Sequence, residues 1–239
     1  MTEICDWDDL VERERLFYKK FTDVPFTGKV TGKEQGSLKN GEKVGPWVSY
    51  HDNGQLSYKG TWRDGKQEGP WIRNHDNGQL WDKGTYKDGK EDGPWVWYHD
   101  NGQLSIKATY KDGKSDGPWV SYYDNGQLRE KGTFKDDWRD GPGVSYHDNG
   151  QLQEKVNYKD GKRDGPWVNY QDDGQLISKG TYKDGKEDGP WVLYHGNGQL
   201  WWKGTWRDGK KDGPWVGYFD DGTVYEKYTG TFKDDVKVK

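Results

Sequence analysis

The sequence predicts an all-β protein: an elongated, single-layer antiparallel β-meander, or solenoid, of eight 24-residue hairpin repeats. Three observations predict this fold. The dipeptide Gly-Pro recurs every 24 residues from Gly45 to Gly213, and a fixed period of this length is typical of repeat architectures. Each repeat contains two strand-like runs separated by glycine-containing turn signals. Finally, Gly and Pro recur too often for a helix to continue through a repeat.

Each repeat reads as four elements in order. In the first repeat, a strand begins at Gly45-Pro46 and ends before the turn signal Asp52-Asn53-Gly54. A second strand follows from Leu56 to the aromatic residue Trp62. The pair Asp64-Gly65 then turns the chain again, because Asp-Gly favours the tight turns of hairpins.

The composition favours a folded chain whose buried side chains are mainly aromatic. Hydrophobic residues make up 29% and charged residues 33%, a balance that is common in disordered chains. The 15 Trp, 16 Tyr and 6 Phe argue against disorder, because aromatic side chains contribute large buried areas.

Charge and hydropathy exclude several classes of protein. The net charge of −4 disfavours a nucleic-acid partner, which requires a basic surface. No apolar run approaches the roughly 18 residues of a membrane span, and residues 1–9 lack the pattern of a signal peptide. The compartment therefore stays open: cytoplasmic as given, or exported if a signal was removed. Cys5 is the only cysteine, so no disulfide framework is expected.

The two faces of the sheet follow from the length of the turns, because adjacent side chains point to opposite faces. If both turns have three residues, an apolar face contains Val48, Tyr50, Leu56, Gly60 and Trp62, and the opposite face contains Trp47, Ser49, His51, Ser57, Lys59 and Thr61. In the third repeat, Val96, Tyr98, Leu104 and Tyr110 should then share one face of the sheet, and Trp95 and Lys107 should share the other face. Two-residue turns would instead place Val48 beside Lys59. We prefer the first register because it separates apolar from polar residues better.

The chain divides into a cap at residues 1–25, a half repeat at 26–44, and eight repeats at 45–239 with an irregular C-terminal cap. The cap is either a helix lined on one side by aromatic and aliphatic residues (Trp7, Leu10, Val11, Phe17 and Tyr18) or a strand at residues 16–18. The fifth repeat departs from the pattern at Gly143, which replaces Trp, and at Val156, which replaces Gly.

No catalytic or metal site is expected, and no cofactor. The five histidines occupy equivalent positions in their repeats, two strands or about 9.6 Å apart, which is too far for one zinc ion. The Asp-Gly-Lys turns carry too few carboxylates for calcium. Catalysis requires unlike groups that converge, whereas here the same residues recur in each repeat.

The candidate binding residues form two columns. They are Trp47, Trp71, Trp95, Trp119, Trp167, Trp191 and Trp215, with Lys59, Lys83 and Lys107. In the preferred register each Trp faces a Lys across the strands. The pair could brace the sheet through a cation–π contact. Alternatively, exposed tryptophans in a row could bind a partner protein or a sugar polymer.

The repeat also resembles a known family. The run Gly-Pro-Trp-Val-x-Tyr-His-Asp-Asn-Gly-Gln-Leu-x-x-Lys-Gly-Thr-Tyr-Lys-Asp-Gly-Lys is similar to the MORN repeat variant of bacterial proteins, often labelled as YwqK-type antitoxin components. The similarity covers about residues 26–235. Residues 9–30 resemble the leader of that family, with Arg15 where Gly is usual. The resemblance implies a stack of β-hairpins with an interaction role and without catalytic activity.

Three functions are compatible with the sequence. The first is a non-enzymatic scaffold for protein–protein interaction, with an antitoxin-like role as its more specific form. The second is a cell-surface binder of glycan or choline that uses the tryptophans, because Gly-Trp-rich cell-wall repeats have a similar length and hairpin design. The third is a lipid-surface binder, although the net charge of −4 disfavours anionic membranes.

Overall fold

The computed structural model describes residues 2–239, which form two compact units, residues 2–115 and 116–239. Both units consist of β-strands and turns, with one short 3₁₀ turn in each. The prediction of an all-β antiparallel meander of repeated hairpins is confirmed.

The N-terminal unit begins with strand β1 and a 3₁₀ turn, and continues with hairpins. Its strands are β1 Ile4–Asp6, β2 Leu10–Arg13, β3 Leu16–Lys19, β4 Gly28–Thr31, β5 Glu34–Lys39, β6 Glu42–Tyr50, β7 Leu56–Arg63, β8 Lys66–Asn74, β9 Leu80–Lys87, β10 Lys90–Glu91, β11 Gly93–Tyr98, β12 Leu104–Lys111 and β13 Lys114–Ser115, and the 3₁₀ turn is Trp7–Asp9. From β4 onward, neighbouring strands pair antiparallel in chain order.

Residues 2–25 contain strands rather than an α-helix. Strand β1 runs parallel to β4, with Cys5 opposite Val30, and β2 and β3 form a separate hairpin. Cys5 and Val30 are buried together with Leu10, Phe26, Leu38 and Trp47. Of the two conformations left open for this segment, the structure has the strand at residues 16–18.

The C-terminal unit repeats the same hairpin and ends with an additional turn. Its strands are β14 Gly117–Tyr122, β15 Leu128–Lys135, β16 Trp138–Arg139, β17 Gly141–Tyr146, β18 Leu152–Lys159, β19 Lys162–Arg163, β20 Gly165–Tyr170, β21 Leu176–Lys183, β22 Lys186–Glu187, β23 Gly189–Tyr194, β24 Leu200–Arg207, β25 Lys210–Lys211, β26 Gly213–Gly217, β27 Gly230–Lys233 and β28 Val236–Lys237. A 3₁₀ turn, Glu226–Tyr228, lies between β26 and β27.

The two turns of a repeat have different lengths. At the first, the Gly54 amide donates to the His51 carbonyl at 2.9 Å and the His51 amide donates to the Gln55 carbonyl at 2.8 Å, which makes a three-residue loop with Gly54 at φ +82°. At the second, Asp64 and Gly65 both have positive φ, 48° and 71°, the signature of a two-residue type I′ turn. The assumption of three residues in both turns is therefore wrong for the second.

Two β-bulges in each repeat shift the register further. Ser49 pairs with Tyr58 but Tyr50 pairs with Leu56, so Ser57 is an extra residue in its strand. A second shift lies at Gly-Pro: Lys59 pairs with Ile72 and Thr61 with Glu68, which leaves three residues opposite Gly60. The one extra residue at Ser57 moves every later side chain to the other face relative to its predicted neighbours, whereas the two extra residues opposite Gly60 leave the faces unchanged.

The predicted register is therefore wrong in part. Tyr110 pairs with Gly93 and Lys107 pairs with Val96, and cross-strand partners share a face. Tyr110 thus lies on the face of Trp95, and Lys107 lies on the face of Val96. Within β11, Val96 and Tyr98 lie on the face opposite to Trp95, and Tyr98 pairs with Leu104. The predicted grouping of Val96, Tyr98 and Leu104 on one face therefore agrees with the structure.

Each repeat accordingly has two faces. The core face contains Trp47, Ser49, Tyr58, Gly60 and Trp62 and their equivalents, because Trp47 pairs with Gly60 and Ser49 with Tyr58. The lysine face contains Pro46, Val48, Lys59 and Thr61 and their equivalents, because Val48 pairs with Lys59 and Pro46 with Thr61.

Candidate functional site

The tryptophan column packs on the glycine of the preceding hairpin. The Trp71 indole lies over Gly60, where an added Cβ would be 2.2 Å from ring atom Cε2. The indole nitrogen of Trp71 donates a hydrogen bond of 3.3 Å to the Thr61 carbonyl. The glycines of four Lys-Gly-Thr motifs, Gly60, Gly84, Gly180 and Gly204, therefore provide the flat surface on which an indole packs.

This packing buries most of the column, and the expectation of an exposed tryptophan ladder is wrong for these members. Trp47 and Trp95 are each 1% exposed. The buried members are Trp47, Trp71, Trp95, Trp191 and Trp215. Their indole faces contact glycine backbone and neighbouring rings, such as Tyr86 against Trp95 at 5.0 Å between centroids, so they are not available to a ligand.

Trp119 and Trp167 are only half-buried. For Trp167 the sequence gives the reason: the residue 11 positions earlier is Val156 instead of Gly, and Val156 is itself buried. The Trp167 indole donates to the Glu154 carboxylate and stacks on Trp191 at 5.2 Å. Trp119 lies 5.2 Å from the Arg139 guanidinium.

The core face of the N-terminal unit also contains a lysine among aromatic rings. Lys43 Nζ lies 4.3 Å from the centroid of Trp47 and 5.0 Å from that of Trp7, and it pairs with Glu34 Oε2 at 3.0 Å. The Tyr58 hydroxyl donates to the same oxygen at 2.5 Å. Burial and the neighbouring Glu34 raise the pKa of Tyr58 above its ordinary value.

A second ion pair of the core face contains a fully buried carboxylate. The Asp82 side chain is 0% exposed and accepts 2.9 Å hydrogen bonds from Arg73 Nε on both oxygens. Burial raises the pKa of the Asp82 carboxyl, and the Arg73 guanidinium opposes that shift. In the C-terminal unit, Arg139 pairs with Glu130 and Arg163 with Glu154, at positions equivalent to those of Lys43 and Glu34. These core-face charges are neutralised within the sheet.

The lysine column lies on the other face from the tryptophans. Lys59 pairs with Val48 across the strands, not with Trp47, so the predicted Trp–Lys cation–π pair is wrong. Lys59, Lys83 and Lys107 are exposed. Sequence reasoning placed Thr61 on the face of Lys59, as the structure does, but it missed the Val and Pro columns that accompany them. The recurrence of Val and Pro was visible in the sequence, but the bulge concealed the face on which they lie.

Two adjoining cavities lie along the lysine face of the C-terminal unit. The first is about 480 Å³ and lies between Lys155 and Val192. The second is about 330 Å³ and includes Lys203 and Val216. Pro190 and Val192 line both cavities.

The histidine column connects neighbouring hairpins. His195 Nε2 lies 2.9 Å from the Tyr218 carbonyl, and His51, His75 and His147 make the same contact one repeat onward. In the fourth repeat Tyr123 replaces His and donates to the Tyr146 carbonyl at 2.8 Å. Within residues 2–239, no three His, Cys, Asp or Glu side chains are placed to hold a metal ion.

The hairpins follow one another in chain order, the tryptophans of the core face are mostly buried, and the lysines of the other face are exposed. This arrangement defines a β-repeat scaffold. The MORN repeat variant family matches residues 43–64, 67–88, 91–112, 115–136, 139–160 and 163–184, and the MORN repeat matches residues 202–214. Because the first set covers more than half of the chain, the protein belongs to the MORN repeat variant family. MORN repeats are generally scaffolds for protein or membrane interaction, and the family is generally non-catalytic.

Other comparisons give no functional assignment. No curated protein matches the chain. Among solved structures, the crystal structure of TcdB2-TccC3-Cdc42 is similar over 78% of this chain, with 12% sequence identity and a TM-score of 0.21. The match spans 12% of that chain's length. In the part of the chain that the structure describes, no helix has the length and hydrophobicity needed to cross a membrane.

Proposed function

We propose that this protein is a non-enzymatic scaffold for protein–protein interaction and that its partner docks on the lysine face. The observation that carries the proposal is the row of exposed lysines with half-buried Val and exposed Pro side chains between them. A surface that combines apolar area with unpaired charge suits a protein partner, because interfaces join an apolar centre to polar groups that set specificity.

The core face is less suited to this role. Its buried tryptophans pack on glycine, and its Lys43 and Arg73 side chains pair with acidic neighbours within the sheet. Binding there would require displacement of packed rings, at a cost of several kcal/mol for each large side chain. The glycan-binding alternative depended on an exposed tryptophan row, and five of its seven members are buried. An antitoxin role, in which the partner is a toxin, is the more specific form that the family resemblance suggests.

Site-specific photo-crosslinking in the native host tests the proposal. A photoreactive amino acid would replace Val168 or Val192 on the lysine face, and Gly196 in an exposed turn would serve as the control position, because nothing lies within 4 Å of it. We expect one protein to be crosslinked from both valine positions and not from position 196. The identified protein, once purified, should bind the purified chain. Crosslinks to lipid or glycan alone, or equal crosslinking from all three positions, would contradict the proposal.

A further inference from the structure

The two cavities on the lysine face of the C-terminal unit share one chemistry. The first is lined by Lys155, Pro166, Trp167, Val168, Lys179, Gly180, Thr181, Pro190 and Val192. The second is lined by Pro190, Trp191, Val192, Lys203, Gly204, Thr205, Pro214, Trp215 and Val216. The floor of both cavities is apolar, and no acidic residue lines either one.

Three lysines of this face have no charged partner among the described residues. Lys155, Lys179 and Lys203 are exposed. Unlike Lys33, which pairs with Asp52, none of the three forms an ion pair or side-chain hydrogen bond with residues 2–239. They stand out because the protein as a whole is acidic, with a net charge of −4. A ligand with negative charges would therefore meet complementary charge here.

The spacing of the lysines defines the ligand further. Val168 pairs with Lys155 on one side and with Lys179 on the other, and Val192 likewise lies between Lys179 and Lys203. Successive lysines are thus two strands apart, about 9.6 Å. A polyproline II segment advances about 3.1 Å per residue with three residues per turn, so every third side chain points the same way at about 9.3 Å intervals. An extended β-strand does not fit, because its side chains alternate with a period of two.

We propose that the lysine face of the C-terminal unit binds an acidic, proline-rich segment of a partner protein in the polyproline II conformation. The segment runs across the strands with Asp or Glu at every third residue, each opposite Lys155, Lys179 or Lys203. The intervening prolines enter the two apolar cavities, where Val192 and Pro190 form the shared wall. This inference rests on the proposed protein-interaction function and specifies the class of partner.

An anionic membrane is the competing ligand for a row of lysines. The geometry favours the peptide because the apolar floor lies in cavities between the lysines, and the planar headgroup region of a bilayer matches neither these recesses nor the spacing of about 9.6 Å. The acidic net charge also reduces attraction to an anionic membrane.

Fluorescence anisotropy with synthetic peptides tests the inference on the full chain. The probe is a fluorescein-labelled peptide of four Glu-Pro-Pro units, and the control is a peptide of the same composition with its four Glu residues adjacent. We expect the period-three peptide to bind roughly tenfold more tightly than the control, and its affinity to fall as salt is added. The triple variant Lys155→Gln, Lys179→Gln, Lys203→Gln should lose roughly tenfold of that affinity.

A matched variant separates position from charge. Lys162, Lys186 and Lys210 are exposed lysines that directly follow the two-residue turns of the same hairpins and line neither cavity. The variant Lys162→Gln, Lys186→Gln, Lys210→Gln therefore changes the net charge equally and should retain peptide affinity. Equal binding of both peptides, or equal loss in both triple variants, would overturn the inference. So would binding to vesicles containing one quarter phosphatidylserine without binding to the peptide. If crosslinking from Val192 yields a protein partner but the peptide does not bind, the interaction function stands and only this partner class fails.

Discussion

The Trp215 indole lies directly over Gly204 in the adjacent strand, so that a methyl group on Gly204 would be 2.1 Å from ring atom Cδ2. The two residues are 11 positions apart, as are Trp71 and Gly60, and Trp191 and Gly180. Each indole also donates to the carbonyl of the Thr that follows the glycine, for Trp215 at 3.0 Å to Thr205. The pair is therefore a repeated contact between consecutive hairpins.

Gly204→Ala should strongly destabilise the C-terminal unit, because the ring has to shift and its hydrogen bond to Thr205 lengthens. We expect a loss of about 3 kcal/mol in the free energy of unfolding, the upper range for overpacking, measured by urea denaturation. The control is Gly196→Ala in the same repeat, where nothing lies within 4 Å, with an expected change within about 0.5 kcal/mol. Equal effects of the two substitutions would show that the indole is not held against Gly204.

The hairpins and the positions of their turns could be predicted from the sequence, but the assignment of side chains to faces could not. Asp-Asn-Gly and Asp-Gly identify turns because few residues tolerate positive φ. The parity argument then assumed regular strands, whereas Ser57 and the Gly69-Pro70 step add residues. One extra residue reverses every later assignment, so Lys59 was predicted beside Trp47 and lies beside Val48.

The constant spacing of 11 residues between a Gly and the following Trp could have indicated, from the sequence alone, that the tryptophans are buried. Where Gly is retained 11 residues earlier, as for Trp191 and Trp215, the indole is buried. Where Val156 replaces it, Trp167 is only half-buried. The fifth repeat, which the sequence marks as irregular, is thus the place where the packing rule changes. The cavities of the lysine face could not be predicted, because they depend on the bulged register.

Trp191→Ala should cost about 3–5 kcal/mol in the stability of the C-terminal unit, the range for truncation of a large buried aromatic residue. Trp191 is buried and its indole nitrogen donates to Thr181 at 3.0 Å. Trp138→Ala is the control, because Trp138 is 64% exposed, and it should cost less than about 1 kcal/mol. Thermal and urea unfolding followed by far-UV circular dichroism measure both. A well-folded Trp191→Ala protein with unchanged stability would restore the case for a ligand-binding tryptophan column.

Asp82→Ala should destabilise the N-terminal unit by about 3 kcal/mol. The substitution leaves the Arg73 guanidinium without the carboxylate that it contacts at 2.7 Å, and breaking one side of a buried pair costs about 3–5 kcal/mol. The lower end applies because Arg73 is 33% exposed. The double variant Arg73→Met, Asp82→Leu removes both charges together, and we expect it to recover most of the loss. Urea denaturation of the three proteins measures this, and an additive loss in the double variant would contradict the pairing.

The contact between His195 and the next repeat can be tested with two substitutions that differ by one hydroxyl group. His195 Nε2 lies 2.9 Å from the Tyr218 carbonyl, and a carbonyl only accepts, so Nε2 must carry the hydrogen. At the equivalent position of the fourth repeat, the Tyr123 hydroxyl donates to the Tyr146 carbonyl at 2.8 Å. His195→Tyr should therefore retain the hydrogen bond, while His195→Phe should lose it and destabilise the unit by about 1 kcal/mol.

Both substitutions keep an aromatic ring against Trp201, which the imidazole stacks on at 5.4 Å, so packing is controlled and the difference isolates the hydrogen bond. Urea denaturation gives the free-energy difference, and amide hydrogen exchange at Tyr218 and its neighbours shows whether the loss is local to this pair of hairpins. If His195→Tyr and His195→Phe are equally stable, the histidine column does not connect the repeats through this bond, and the backbone pairing of β24 with β26 carries that connection alone.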